Sequence, residues 1–364
     1  MTTFWTILLS ALVLGLTFYA LHRVTDSYFV QSLELLSSRL NMTSDIAGAS
    51  LMAMGSSAPE LFTSLFALIK TLDLAELGAG TIVGSALFNI LVIVGGVALL
   101  GTAVLNWQPA VRDLLFYILS LLLLFVVLND RVITLTESIF FVAFYGVYLI
   151  ALPLWRRIFP YDDQAEHSAA VIVEESSKDT GQMAWYWWWT IPIDRFLDMV
   201  MPDLERRPER YLWTFFLSIV VISLLSWVLV EAGVVVASAL GVPEAIIGLT
   251  VLAVGTSIPD LLSSLIVARQ GKGDMAVSNA VGSNIFDILV GLGMVWMVMI
   301  LFNNGEAINL KGYDLTTSIS LLLVSVGFLA ALLVVLRWKI GPRSGFVLVS
   351  VYGLYVTAAV TGLI

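Results

Sequence analysis

Cysteine is absent from all 364 residues, and histidine occurs only at His22 and His167. The first absence removes disulfides, thiolate metal sites and cysteine nucleophiles. The second leaves almost no material for a histidine-based zinc site or triad. Charge is scarce as well: 12% of residues are charged against 59% hydrophobic, a balance that a soluble chain of this length could hold only by exposing large apolar patches. Lys and Arg are missing from the middle of the apolar stretches, so acids found there have no obvious basic partner. Hard oxygen ligands are what remain for chemistry.

The fold class this implies is an all-α polytopic membrane protein. A helix needs about 20 apolar residues to cross a hydrocarbon core of ~30 Å. Ten stretches qualify, near residues 4–22, 44–69, 77–100, 112–128, 132–154, 212–234, 243–268, 275–302, 314–336 and 344–363. The first lacks a basic leader and is followed by His22 and Arg23, so it reads as a retained span with its N-terminus outside. That orientation puts 15 of the 18 Lys and Arg, among them Arg112, Arg156, Lys178, Arg195 and Lys272, on the cytoplasmic side and only Lys70, Arg131 and Lys311 outside. The expected localisation is the cell membrane. The formal charge of −9 says little about partners, because orientation follows Lys and Arg placement more than net charge.

Residues 1–155 and 211–364 divide the spans into two sets of five, separated by a polar cytoplasmic linker, 156–210, that carries the run Trp185 to Trp189. Ile191, Phe196, Leu197 and Met199 after that run have the spacing of an amphipathic segment at the interface, or of a loop brushing headgroups. Five spans per half means the second half enters the bilayer from the opposite side, so repeats in sequence become inverted-topology repeats in space.

Such a repeat is present. AMGSSAPELFTSL at Ala53 to Leu65 returns as AVGTSIPDLLSSL at Ala253 to Leu265, with Gly55, Pro59 and Glu60 matched 200 places on by Gly255, Pro259 and Asp260. Proline removes a donor and frees carbonyls, which predicts that helices 2 and 7 are broken. Ser56 and Thr256 stand four residues before the acid and Ser57 and Ser257 three before it, so the oxygens share one helix face. The third and eighth spans repeat the device, with Ser85 and Asn89 in IVGSALFNI and Ser283 and Asp287 in AVGSNIFDI. Three buried carboxylates at roughly 2.5–3.5 kcal/mol each, about 9 kcal/mol together, make an empty ionised site improbable. A divalent ion, several monovalent ions or protons must fill it, and swapping one load for another is the physical root of exchange. Glu137, Glu231 and Glu244 sit near span ends and read as solvated interface acids.

GSSAPE with GSALFN, and GTSIPD with GSNIFD, resemble the two alpha repeats of the calcium/cation antiporter superfamily. The run from Ile246 to Gly293 is most similar to the potassium-dependent sodium/calcium exchanger branch, whose pattern carries an acid where Asp287 stands. The resemblance implies Glu60 and Asp260 as central Ca2+ ligands, with oxygens from Ser56, Ser57, Thr256, Ser257 and the backbone of Ala53 and Ala253. It implies Ser85, Asn89, Ser283 and Asp287 at flanking Na+ or K+ positions. The first repeat departs from the pattern at Ala86, opposite Asn284, which reads as a packing difference. The implied activity is export of Ca2+, with K+ in this branch, in exchange for Na+ by alternating access, with no enzyme chemistry and no cofactor. The expected partners are membrane lipid and the ions, with no nucleic acid and no obligate protein. Two alternatives stay open: Ca2+/H+ exchange, since carboxylates in an apolar setting take up protons readily, and an intramembrane aspartyl protease suggested by the string GKGD at 271–274 with Tyr161 and Asp162 in the linker.

Overall fold

The computed structural model describes residues 2–61, 82, 84–130, 132–162, 190–204, 206–239, 241, 253–309 and 315–360. Lys70, Arg131, Lys178, Glu244, Lys311 and the Trp185 to Trp189 run lie outside the described residues, as do parts of the spans at 44–69, 77–100 and 243–268.

The helices are α1 Thr2–Val24, α2 Gln31–Arg39, α3 Ser44–Ala47, α4 Ala53–Ser56, α5 Val94–Leu100, α6 Trp107–Leu128, α7 Leu135–Ile158, α8 Ile191–Val200, α9 Tyr211–Ala239, α10 Ala253–Thr256, α11 Ile258–Arg269, α12 Gly273–Phe286, α13 Gly293–Phe302, α14 Leu315–Val335 and α15 Pro342–Val360. Residues 58–61 and 84–88 are also helical. Wide π turns at Thr25–Val30, Gly48–Met52, Asn89–Ile93 and Asp287–Leu292 join several of these into longer runs. Among the described residues, Trp5–Arg39, Trp107–Leu128, Leu135–Ile158, Pro208–Val236 and Gly273–Phe302 are long and apolar enough to cross a bilayer. Their outward faces carry Leu9, Leu12, Val126, Ile150, Trp213 and Phe216, all exposed, as lipid-facing helices require.

Local sequence explains the element ends. Thr134 caps α7 by accepting from Glu137 N, and the Glu137 side chain accepts from Thr134 N in return. Four two-residue strands tie the loops: β1 Ala103–Val104 pairs with β4 Lys339–Ile340, and β2 Val132–Ile133 with β3 Ile308–Asn309, both antiparallel. β1 and β3 follow the third helical run of their half, and β2 and β4 precede the fifth, so each ladder joins one half to the other by the same exchange.

Two close contacts set the core. A Cβ on Gly282 would lie 2.8 Å from the Ala49 carbonyl oxygen and 2.9 Å from its Cα, and a Cβ on Gly48 would collide with the Met275 carbonyl. Only glycine at both places lets α12 lie directly on the π turn Gly48–Met52.

Arg112, expected at the cytoplasmic start of the span 112–128, is fully buried inside α6, which begins five residues earlier than the apolar run suggests. Its NH1 pairs with Asp45 Oδ2 at 3.0 Å and its Nε with Asp113 Oδ1 at 2.7 Å. Asp113 also accepts from Tyr148 (3.1 Å) and Ser278 (2.9 Å), and Asp45 from Tyr161 (2.6 Å). A buried arginine is tolerable only with this saturation, in which the charges and remaining lone pairs all find partners.

Candidate ion site

The site grows from two breaks of nearly identical geometry. After Ala53–Ser56 the chain leaves the helix at Ser57 (φ −87°, ψ 4°), and after Ala253–Thr256 it does so at Ser257 (φ −83°, ψ 1°). Pro59 and Pro259, two residues on, have no N–H for the Gly55 and Gly255 carbonyls four residues back. The Ala53 and Ala253 carbonyls, predicted as ligands, keep helical bonds from Ser57 N (3.0 Å) and Ser257 N (3.3 Å), and Ala253 O also accepts from Thr256 Oγ1 at 3.4 Å. Each break is pressed from outside: a Cβ on Gly55 would sit 2.5 Å from the Phe29 ring, and one on Gly255 3.0 Å from Val230 on α9.

All of the predicted side-chain ligands are buried, and most meet across the halves. Ser257 Oγ donates to Glu60 Oε1 at 3.2 Å, while Ser57 Oγ donates to Asp260 Oδ2 at 3.5 Å. Asp260 further accepts from Asn89 Nδ2 (3.1 Å) and Ser283 Oγ (3.1 Å). Ser85 and Ser257 hydroxyls lie 2.6 Å apart. Ser56 and Thr256 are less committed to this group: Ser56 Oγ donates to Met52 O at 2.8 Å, and Thr256 Oγ1 to Ala253 O at 3.4 Å. Asn89 and Asp287 each open a π turn at matching places in the two halves, and such turns recur at functional sites because they re-aim side chains.

Acceptors outnumber donors. Glu60 Oε2, Asn89 Oδ1 and both carboxylate oxygens of Asp287 are buried without a hydrogen-bond partner among the described residues. Glu60, Asp260 and Asp287 are within electrostatic reach of one another. Among the described residues no three acids converge tightly enough to hold a metal by themselves, so hydroxyl, amide and carbonyl oxygens must complete any coordination shell. The basic groups that do form ion pairs among the described residues are engaged elsewhere: Arg112 with Asp45 and Asp113, Lys272 with Glu34, Arg23 with Asp194 and Asp198, and Arg206 with Asp203. A buried set of acceptors with surplus negative charge, and no Lys or Arg paired to it among the described residues, is suited to an ion or a proton.

Two residues were not foreseen. Asn284, read as packing, accepts from Asn89 Nδ2 at 2.9 Å and donates to Ala86 O at 3.1 Å, thereby holding Asn89 in place. Asn279 donates to Ser264 Oγ at 2.9 Å and accepts from Ser56 at 3.4 Å. The signal available was spacing, since Asn279, Ser283 and Asp287 recur every four residues along one helix stripe. The GKGD aspartate, Asp274, sits at the start of α12 and accepts from Asn106 N (2.9 Å) and Nδ2 (2.7 Å), which ties α12 to the residue that precedes α6.

The family model described as "Sodium/calcium exchanger protein" matches residues 9–153 and 210–361. The chain is 31% identical to human Sodium/potassium/calcium exchanger 5, over 96% of this chain and 82% of that protein. It is 28% identical to Sodium/potassium/calcium exchanger 2 of Gallus gallus, over 94% of this chain and 75% of that protein. Among solved structures, the sodium-calcium exchanger NCX_Mj soaked with 2.5 mM Na+ and 0.1 mM Ca2+ superposes with a TM-score of 0.66 at 19% identity, covering 96% of this chain and 98% of that one. The fold is thus that of an all-α polytopic membrane protein.

Proposed function

The chain belongs to the sodium/calcium exchanger protein family, and on that premise we propose that it moves Ca2+ out of the cell against entering Na+, with K+ travelling alongside Ca2+. Membership makes it an ion exchanger rather than an enzyme. The ions are its substrates.

The observation that carries the reading is the surplus of buried acceptor oxygens around two acids that exchange serine hydroxyls across the halves. In this reading Glu60 and Asp260 hold Ca2+ with Ser57, Ser257 and the Ala53 and Ala253 carbonyls. Ser56 and Thr256 set the hydroxyl rows behind them. Ser85, Asn89, Ser283 and Asp287 provide the flanking Na+ or K+ positions, with Asp287 the K+ determinant. Na+ arriving at the acids neutralises them in place of Ca2+. The loaded site is then presented to the other face by movement of α1 and α9, which pack on each other; Phe29, in the π turn that extends α1, presses on Gly55, and Val230 of α9 presses on Gly255. An empty carrier resists crossing, because uncompensated carboxylates would face lipid.

The same reading puts 1–155 and 211–364 as the two repeats and 156–210 as a cytoplasmic linker, with the N-terminus outside and the cell membrane as location. It requires no cofactor and no obligate protein partner. The test is Ca2+ flux in reconstituted liposomes with Na+, K+ and H+ gradients imposed one at a time. Flux should follow the Na+ gradient, require K+, and survive collapse of the pH gradient. Flux that follows only the pH gradient would replace this reading with Ca2+/H+ exchange.

A further inference from the structure

The linker returns to the membrane helices through α8, a ten-residue helix with two unlike faces. Asp194 and Asp198, four residues apart, point at the end of α1. Tyr19 Oη donates to both Asp194 oxygens at 2.9 and 3.0 Å, and Tyr28 Oη donates to Asp198 at 2.6 Å. Arg23 lies between them, 3.4 Å from Asp194 and 3.7 Å from Asp198. Leu197 is buried, and Met201 and Leu204, just past the helix, are buried too. The helix is therefore bolted to α1 and does not hang free.

Its other face is apolar and open. Met199 is 77% exposed and Phe196 60%, with Val200 exposed beside them at 39%. Phe196, Met199 and Val200 fall at i, i+3 and i+4, so they form one stripe. Arg195 flanks that stripe, four residues before Met199, and its guanidinium can reach up to phosphate level while its stem stays in apolar surroundings. The helix to which α8 is fastened has its own apolar face open to lipid: Leu8, Leu9, Leu12 and Phe18 are exposed on α1, and Phe18 directly precedes Tyr19, the partner of Asp194.

We propose that α8 is a membrane-surface helix, with Phe196, Met199 and Val200 sunk into the phospholipid leaflet on the linker's side and Asp194 and Asp198 tying that leaflet-bound helix to α1. Attachment to α1, whose exposed leucines and Phe18 face lipid, identifies the occupant as phospholipid. A helix with one apolar stripe, a flanking arginine and a separate polar anchor is the form that interfacial segments take. The polar contacts to Tyr19, Tyr28 and Arg23 then make α1, the helix that presses on Gly55 through its extension, responsive to what happens at the bilayer surface. The inference needs only a membrane-embedded chain and is independent of which ions cross.

The absence of cysteine makes the test direct. The full chain carrying Met199→Cys, or as a second reporter Phe196→Cys, is labelled with a fluorophore and reconstituted in phosphatidylcholine vesicles containing a doxyl-labelled phosphatidylcholine. Trp213→Cys on the lipid face of α9 and Glu209→Cys on the exposed linker serve as references. The expected result is quenching of the α8 labels by the lipid-borne quencher to the level of Trp213, several-fold stronger than by aqueous iodide. Labels that behave like Glu209, quenched by iodide alone, overturn the proposal. Labels protected from both quenchers overturn it as well, since protein would then cover the stripe. Because no transport is measured, failure here is distinct from failure of the exchanger reading.

Discussion

Ser257 donates to Glu60 at 3.2 Å although 197 positions separate them, and Ser57 repays the contact by donating to Asp260 at 3.5 Å. Each acid is thus oriented by the other half of the chain. A hydrogen bond to a charged group is worth roughly 1.5–3 kcal/mol, and 1.4 kcal/mol is tenfold in an equilibrium. Ser257→Ala should therefore raise the Ca2+ concentration for half-maximal flux about tenfold or more, with Ser57→Ala somewhat milder for its longer contact. An unchanged Ca2+ dependence in both variants would remove the cross-half pairing from the mechanism.

Glu60→Gln and Asp260→Asn should each abolish Ca2+ flux while leaving the protein inserted and monodisperse, because a neutral amide cannot balance a divalent ion in a dehydrated site. Asp287→Asn should instead spare Na+-driven Ca2+ flux and erase its dependence on K+. Intact K+ dependence in that variant would defeat the branch assignment.

Arg112→Met leaves Asp45 and Asp113 as buried acids without their cation. Breaking such a pair from one side costs about 3–5 kcal/mol, so thermal unfolding in detergent should shift markedly downward. The combined Arg112→Met, Asp45→Asn, Asp113→Asn variant should recover much of that loss. Equal destabilisation by both variants would mean packing, not charge, holds this cluster.

Gly282→Ala places a methyl 2.8 Å from the Ala49 carbonyl oxygen and 2.9 Å from its Cα, backbone atoms that cannot turn aside. Overpacking of this kind costs typically 1–3 kcal/mol, and the displaced helix carries Ser283 and leads directly into Asp287. Flux should fall several-fold, whereas Gly96→Ala, whose new methyl meets the side-chain ends Leu265 Cδ2 at 3.4 Å and Leu261 Cδ1 at 3.7 Å, should transport normally. Comparable losses in the two would discount the close approach.

Tyr161 lies just beyond the end of α7 and donates to Asp45 at 2.6 Å. Burial, then the Asp45 charge, pushes its phenol above the ordinary tyrosine range. A raised folded-state pKa means this contribution is whole below the ordinary tyrosine value near 10 and fades only as pH climbs through the folded one. Tyr161→Phe should thus cost about 1 kcal/mol, by an amount that stays constant between about pH 6 and 9 in thermal unfolding. A difference that varied across that window would place the titration lower.

Motif and spacing carried most of the candidate site's geometry in the sequence, because proline, small hydroxyls and an acid at i, i+3 and i+4 leave few ways to fold in lipid. Glu60, Asp260, Ser57, Ser257, Asn89 and Ser283 therefore meet where repetition said they would. Arg112 was illegible for the opposite reason. Arginine near the end of an apolar run is ordinarily a topology marker, and only the tertiary placement of Asp45, sixty-seven residues earlier, reveals its burial. Asn284 misled because repeat symmetry was the guide, and it departs from symmetry: the amide that steadies Asn89 exists in one half alone. The apolar stripe of α8 was visible as periodicity, but its anchoring through Tyr19 and Tyr28 depends on contacts about 170 residues distant in sequence.

The 2.6 Å hydroxyl pair between Ser85 and Ser257 has a polarity. With Ser257 giving its hydrogen to Glu60, Ser85 must give its own to Ser257, and the lone pairs of Ser85 are turned outward. A cation that took over Glu60 would release Ser257 to point the other way, and Ser85 could reverse with it. Occupancy at one helix would then be felt at another through two hydroxyl rotations, with no backbone displacement.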